Sequence, residues 1–465
     1  MSYFSTNPSA NAFKNTNKFN DSEFLDILSS KELSMMIERH TPEHRERIFT
    51  PSKTLSMFIK QALNSDRSCS RAVNDFIVDN VDSLPKNIGR STESFCRSRQ
   101  KLPLDLITEL VRLTGKLVKD KINNQHKIEG NIYLIDGTTF TLPDTIKNQE
   151  KYPQQSTQKE GLGFPICRAL GVHCLESGAV INAKIAPYKG KGADEHSMLR
   201  AILNTFEKGD LVIGDALYSS YWLLAYLQQN GINGVFQKNG GRAQKTDFRV
   251  GIKLAKNDHV VTYSRPQRPS WKSIEQYELA PKTIEIRELK VKHKIIVTTL
   301  LQEKTYSKND ISDLYKSRWN IEVDFRDLKT TLGMSELSCK SPEMCEKEIW
   351  IYFLANNLIR ILMAQTAKIF SLKIRSVSFK NTLQIWNTVS SKFKDTVSAV
   401  KRFFFLIAGH QVGKRPGRVE PRARKRRASA FSLLMMPRHL AKARILKNGH
   451  PPKQRKNTGA NGGKA

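Results

Sequence analysis

Tyr315-Lys316-Ser317-Arg318-Trp319-Asn320-Ile321-Glu322-Val323-Asp324-Phe325-Arg326-Asp327-Leu328-Lys329 is the stretch on which the reading of this chain turns. Its spacing predicts one continuous helix. At about 100° per residue, Tyr315, Arg318, Glu322 and Lys329 fall within roughly 60° of one another. Trp319 and Arg326 border that stripe. Leu314, Ile321, Phe325, Leu328 and Leu332 form an adjoining apolar stripe, the face expected to pack on a core. One carboxylate therefore stands among cations and aromatics beside a buried seam, which suits a metal-binding acid surrounded by phosphate-contacting groups. An amphipathic helix with a salt-bridged polar face has the same pattern. Asp324 and Asp327 fall on the side opposite Glu322 and are assigned to solvent.

Two more acids stand upstream at the ends of expected strands. Residues 131–138 read as a strand closing in an acidic turn at Asp136, and residues 210–215 as a short apolar strand that ends on Asp215. Alone, Asp136-Gly137 is first of all a turn signal. In an open α/β sheet, however, catalytic groups gather at strand ends. Three carboxylates drawn together repel, and divalent cations relieve that repulsion. Oxygen-only donors suit Mg²⁺ or Mn²⁺. Two such ions, ~3.5–4 Å apart, activate a water or a 3′-hydroxyl for in-line displacement at phosphorus. The sequence offers no Gly-x-Ser-x-Gly elbow and no paired Cys/His arrangement for a covalent nucleophile.

A formal charge of +32 points to a polyanionic partner, nucleic acid before a membrane surface. The charge is uneven. Residues 411–465 hold sixteen Lys and Arg against the single acid Glu420, and Lys414 to Arg427 reads as a flexible arm that neutralises phosphates. The six cysteines form no Cys-x-x-Cys pair and no zinc spacing, which fits a reducing, cytoplasmic setting. No apolar run approaches the ~20 residues of a membrane span, and the first residues lack the regions of a signal peptide. His173 and His196 have no metal-like partner at suitable spacing and are assigned to core or capping roles. Lys189-Gly190-Lys191-Gly192 lacks the rest of a nucleotide-binding loop and reads as a basic loop near DNA.

Five segments follow from the patterning. Residues 1–125 read as a helical, potentially DNA-binding domain after a poorly ordered start, with a clear helix from Pro103 to Lys121. In residues 126–234, three expected strands (131–138, Phe164–Leu175, Val180–Pro187) precede a helix (Glu195–Phe206), the strand ending at Asp215, and a second helix capped by Ser219 or Ser220. Residues 235–305 are β-prone and glycine-rich, residues 306–408 are helical, and residues 409–465 form the basic tail.

The spacing Tyr-(2)-Arg-(3)-Glu-(6)-Lys at Tyr315, Arg318, Glu322 and Lys329 resembles, at every interval, the signature of the insertion-sequence-four family of DDE transposases. The segments Asp136-Gly137-Thr138 and Asp215-Ala216-Leu217-Tyr218 look like that family's first and second acid motifs, in the right order. The resemblance spans roughly residues 60–430. It implies an α/β fold with an RNase H-like catalytic core interrupted by a β-rich insertion. It implies a metal-binding triad of Asp136, Asp215 and Glu322, with two Mg²⁺ or Mn²⁺ ions. Tyr315, Arg318 and Lys329 carry over as contacts to the terminal phosphates and bases. Relatives hold a flipped base against aromatic side chains, a role for which Trp271 and then Trp319 are the candidates here. The expected activity is binding of terminal inverted repeats, cleavage of the ends, and joining of the 3′ ends to target DNA by a homodimer bridging two ends. A nuclease without strand transfer and a non-catalytic DNA-binding protein remain as alternatives.

Overall fold

The computed structural model describes residues 31–413 and 436–449, apart from 42–47, 83, 85–88, 90, 121–127, 158, 160, 240–245 and 390–396. The basic run from Lys414 to Arg427 and the first residues of the chain lie outside the described residues.

Five helices come first: α1 (Lys31–His40), α2 (Pro51–Leu63), α3 (Cys69–Asp79), α4 (Glu93–Lys101) and α5 (Leu104–Asp120). The expected helix from Pro103 is α5. Leu106, Ile107, Leu110, Val111 and Val118 recur at helical spacing on its buried face. Gly115 lets that face meet the sheet closely, since a Cβ there would stand 2.5 Å from the Val180 carbonyl oxygen. The middle of the chain alternates strand and helix: β1 (Ile132–Thr141), α6 (Ile146–Lys151), β2 (Ile166–Cys174), β3 (Val180–Pro187), α7 (Glu195–Arg200), β4 (Leu211–Gly214), α8 (Tyr221–Gln229) and β5 (Asn233–Gln237). Then follow β6 (Ile252–Ala255), β7 (Asp258–Ser264), α9 (Ile274–Glu278), β8 (Thr283–Val291) and β9 (Lys294–Thr298). The described chain closes with α10 (Lys308–Ser317), α11 (Trp319–Arg326), α12 (Pro342–Ile369), α13 (Phe379–Val389), α14 (Val397–Ala408) and α15 (Arg438–Asn448).

Among the described residues the nine strands form one sheet, in the order β3-β2-β1-β4-β5-β9-β8-β7-β6. β1 runs antiparallel to β2 and parallel to β4, and β4 runs parallel to β5. The β-prone segment joins through the antiparallel β5·β9 pair, so its four strands extend the same sheet. Residue 235 lies inside β5. Successive residues of β1 serve opposite faces, as a pleated strand requires. Ile132 and Leu134 enter one core with α5, α10, α11 and α12, while Tyr133 and Ile135 enter a second core with α7 and α8. α12 is buried nearly all round, as a central helix enclosed by helices and sheet must be. Among the described residues no helix is long and apolar enough to cross a membrane.

Two expectations about elements change. β1 does not stop at an acidic turn: the β2 ladder continues as far as Thr141↔Ile166, and only the β4 partner ends, at Leu134↔Ile213. The helix expected from Glu195 to Phe206 ends at Arg200, where the backbone leaves helical geometry at Ile202 (φ −130°, ψ 19°) and makes only a 3₁₀ turn at Leu203–Thr205.

His173 on β2 is fully buried, edge-on to Phe325 at 5.1 Å and 3.8 Å from Asp324. Burial, helped by the nearby Arg360 and Arg375, pushes its imidazole down to about 4 against the stabilising charge of Asp324. Unfolded, the same ring titrates near its ordinary 6.5. Between those values the unfolded chain holds the proton and the folded chain does not. Stability from this site is therefore complete above pH 6.5 and is lost as pH falls toward 4, by roughly 2 kcal/mol at pH 5. Urea unfolding of wild type and His173→Gln should show a stability gap that narrows from pH 7 to pH 5. A gap independent of pH would contradict it.

Candidate active site

β1 and β4 bring the first two acids together. Their parallel register ends at Leu134↔Ile213, and two residues further on come Asp136 and Asp215. Asp136 lies on the face of β1 that carries Leu134, the face covered by α11. One of its oxygens accepts from the Gly137 amide at 2.8 Å. Asp215 leaves β4 and caps a 3₁₀ turn (Ala216–Tyr218), accepting from the Leu217 amide at 2.8 Å. Burial pushes the Asp136 carboxyl up to about 6, and Asp215 and Glu195 add to that rise. The Gly137 amide and Arg318 oppose it. Like charges are thus crowded where the β1·β4 pairing ends, inside the sheet, a place where a cation is favoured.

The third acid arrives on a helix whose hydrogen-bond ladder tightens at Arg318, where the backbone stays helical (φ −49°, ψ −34°). α10 ends at Ser317, whose hydroxyl donates to the Leu314 carbonyl at 2.5 Å and competes with the helical ladder. Arg318 is the joint, and α11 begins at Trp319. A π turn then widens the helix at Asp327–Thr331, a feature that often marks functional sites. The uniform 100° count behind the predicted stripe therefore fails past Asp327. Tyr315 is buried, and its hydroxyl donates to the Gln237 side chain at the end of β5, 3.1 Å away. Lys329 is half-buried, with its ammonium 5.2 Å from the Phe140 ring centre. Arg318 and Glu322 do stay together. The Arg318 guanidinium donates to Glu322 at 2.7 Å and lies 3.9 Å from Asp136, linking the first and third acids. Trp319 is 58% exposed and Arg326 is exposed.

The apolar stripe behaves as expected: Leu314, Ile321, Phe325, Leu328 and Leu332 are all buried. The assignment of Asp324 and Asp327 to solvent does not hold. Both are buried, and both pair with Arg360 of α12, at 3.1 and 2.8 Å. Arg375 also holds Asp324 with two hydrogen bonds, at 2.9 and 3.0 Å. Burial alone would raise the Asp324 carboxyl, but the two guanidinium groups hold it below the usual carboxylate range. The side of the helix opposite Glu322 thus faces α12 rather than water.

A fourth acid was not singled out by sequence. Glu195, at the start of α7, accepts from the Tyr218 hydroxyl at 2.7 Å. Its carboxyl lies so close over Gly137 that a Cβ on that residue would overlap it. An acid in the first turn of a helix reads as a dipole-stabilising residue, and only the fold shows where it points. The preceding loop, Lys189 to Gly192, leads into Asp194, which caps α7 through the Ser197 amide at 2.9 Å.

Trp271 is 42% exposed and belongs to an aromatic and cationic cluster away from the acids in sequence. Its ring meets Trp222 edge-on at 6.2 Å, and Arg200 of α7 lies 4.0 Å from its centre. Tyr277 packs on Trp222 at 5.8 Å, and Lys272 sits 5.3 Å from Trp222. Trp222, Tyr277, Arg200 and Lys272 were not foreseen, because they come from three separate segments.

Oxygen-only donors crowded by like charge fit a hard divalent cation in chemistry. Among the described residues no three His, Cys, Asp or Glu side chains are close enough to hold one ion. Glu322 is turned onto Arg318 instead.

The description "Transposase DDE domain" matches residues 128–358, which contain all three acids. The transposase InsG for insertion sequence element IS4, from Escherichia coli strain K12, is 25% identical over 360 residues, covering 76% of this chain and 75% of that protein. The putative transposase InsL for insertion sequence element IS186A, from the same strain, is 32% identical over 78 residues, 17% of this chain and 21% of that protein. A piggyBac transposase synaptic complex with hairpin DNA is similar at a TM-score of 0.42 and 11% identity, over 87% of this chain and 88% of that chain, too slight a likeness to define the fold. The chain belongs to the DDE transposases of the insertion-sequence-four family.

Proposed function

We propose that this transposase binds the terminal inverted repeats of its own insertion sequence, cleaves the ends by two-metal phosphoryl transfer and joins the 3′ ends to target DNA. The observation that carries this reading is the placement of Asp136 and Asp215 two residues past the last parallel pair of β1 and β4, with Glu322 tied to Asp136 through Arg318. In this reading β1 to β5 with their helices form an RNase H-like core, β6 to β9 are its insertion, and a homodimer bridges two ends.

Asp136, Asp215 and Glu322 would hold two Mg²⁺ or Mn²⁺ ions. Held there, such ions would supply an activated water or 3′-hydroxyl and would stabilise the leaving oxygen. Glu322 is 39% exposed and, among the described residues, is held by the neighbouring guanidinium, a partner it would exchange for a cation. Arg318, released, is then free to take a DNA phosphate, to which its planar fork is matched. Lys329 and Arg326 add point charges beside it. The exposed ring of Trp271, flanked by Arg200, offers a stacking surface for an unpaired base.

The test is a reaction on DNA carrying the repeats that flank the gene, with Mg²⁺ or Mn²⁺ and with Asp215→Ala as control. Metal-dependent cleavage and joining, both abolished by the substitution, are expected. Cleavage without joined products would leave a nuclease, and binding without metal-dependent breakage would leave a DNA-binding protein. Trp271→Ala should weaken binding to ends containing an unpaired base by about 1–3 kcal/mol while leaving fully paired DNA less affected. Equal losses on both substrates would remove the stacking role.

A further inference from the structure

The Asp136 strand and the Asp215 turn are joined by a strut that the catalytic triad does not include. Glu195 comes from a third segment, the start of α7. Its one oxygen accepts from the Tyr218 hydroxyl at 2.7 Å, and Tyr218 is the last residue of the 3₁₀ turn that Asp215 caps. The carboxyl itself lies over Gly137, the residue after Asp136, and needs the space a side chain there would fill. Tyr218 is fully buried, so a phenol left without a partner would carry a desolvation cost.

We propose that Glu195 is a positioning residue: braced by Tyr218 and seated on Gly137, it fixes the β1 acid relative to the β4 acid and so sets the spacing of the pair that receives the cation. The inference rests on the metal-dependent reading above and adds a residue to it. Glu195 acts through the backbone of its neighbours, so what matters is an acceptor of the right length, not the charge. Glu195→Gln keeps that acceptor. Glu195→Ala and Tyr218→Phe break the strut from its two ends.

Mn²⁺ binding to the full chain, followed by electron paramagnetic resonance without DNA, reads this directly. Groups that orient metal ligands are worth about 10–100-fold in metal affinity. We expect Glu195→Ala and Tyr218→Phe each to weaken Mn²⁺ binding by on the order of tenfold, with Glu195→Gln close to wild type. Circular dichroism and thermal melting establish that each variant is folded, and Glu195→Gln carries the comparison if Tyr218→Phe does not fold. A purely structural role would lower melting temperature and leave Mn²⁺ affinity unchanged, which overturns the proposal. Glu195→Gln losing as much affinity as Glu195→Ala also overturns it, because Glu195 would then touch the cation itself. If wild type binds no Mn²⁺, the metal-dependent reading fails first, a result distinct from a wild type that binds and variants that bind equally.

Discussion

Glu322→Gln is expected to lower metal-dependent cleavage of the element ends by on the order of 10³-fold or more while leaving end binding nearly intact. The substitution keeps the shape of the side chain and its place on α11. It removes the charge that would hold a cation and leaves an amide oxygen that still accepts from Arg318. Arg318→Ala should behave differently. It frees Glu322 and removes a cation 3.9 Å from Asp136, so it should weaken binding of the ends and shift the metal concentration needed for cleavage downward. Single-turnover cleavage across a Mn²⁺ titration separates the two variants. Loss of rate at saturating metal belongs to Glu322, and loss of DNA affinity belongs to Arg318. If Glu322→Gln cleaved at the wild-type rate, this acid would be only one end of a surface ion pair, and the triad reading would fall.

How much of this was legible in the chain depended on whether the partners were local. Ile321 and Phe325 were placed in the core by period alone, because burial on one face of a helix is a property of spacing. Arg318 and Glu322 are four apart, and their pairing is likewise local. Asp324 and Asp327 were misplaced because their partners lie far along the chain: Arg360 is 36 residues from Asp324, and Arg375 is 51. No helical wheel shows that a second, largely buried helix will present a guanidinium to the polar side. Tyr315 was read as a surface contact for a similar reason, since the acceptor that draws it inward, Gln237, ends a strand 78 residues away. The Asp136-Gly137 pair was read as a turn, but the glycine serves the middle of a strand, where its missing Cβ admits Glu195. Local chemistry named the acids, and only the sheet register showed that β1 and β4 set two of them side by side.

That distant pairing leads to the largest stability effect expected in the molecule. Arg360 is 3% exposed, donates to Asp324 and Asp327, and stacks its guanidinium 4.7 Å from the Phe379 ring centre. Arg360→Ala would leave Asp327 buried without its hydrogen-bonded guanidinium, with only the more distant charge of Arg326, and Asp324 with Arg375. Breaking a buried pair by removing one partner costs about 3–5 kcal/mol, because the remaining charge is uncompensated. The lost packing on Phe379 adds to that cost. The urea midpoint and melting temperature should both fall sharply. Replacing Arg360 and Asp327 together by apolar residues of similar volume should recover much of the loss, since their desolvation disappears while Asp324 keeps its two hydrogen bonds from Arg375. The single variant should also cleave more slowly than its folded fraction predicts, because Asp324 and Asp327 sit on the side of the signature helix opposite Glu322 and anchor it. A loss below about 1 kcal/mol, the range of exposed ion pairs, would show that water reaches this cluster and that the helix is held by its apolar stripe alone.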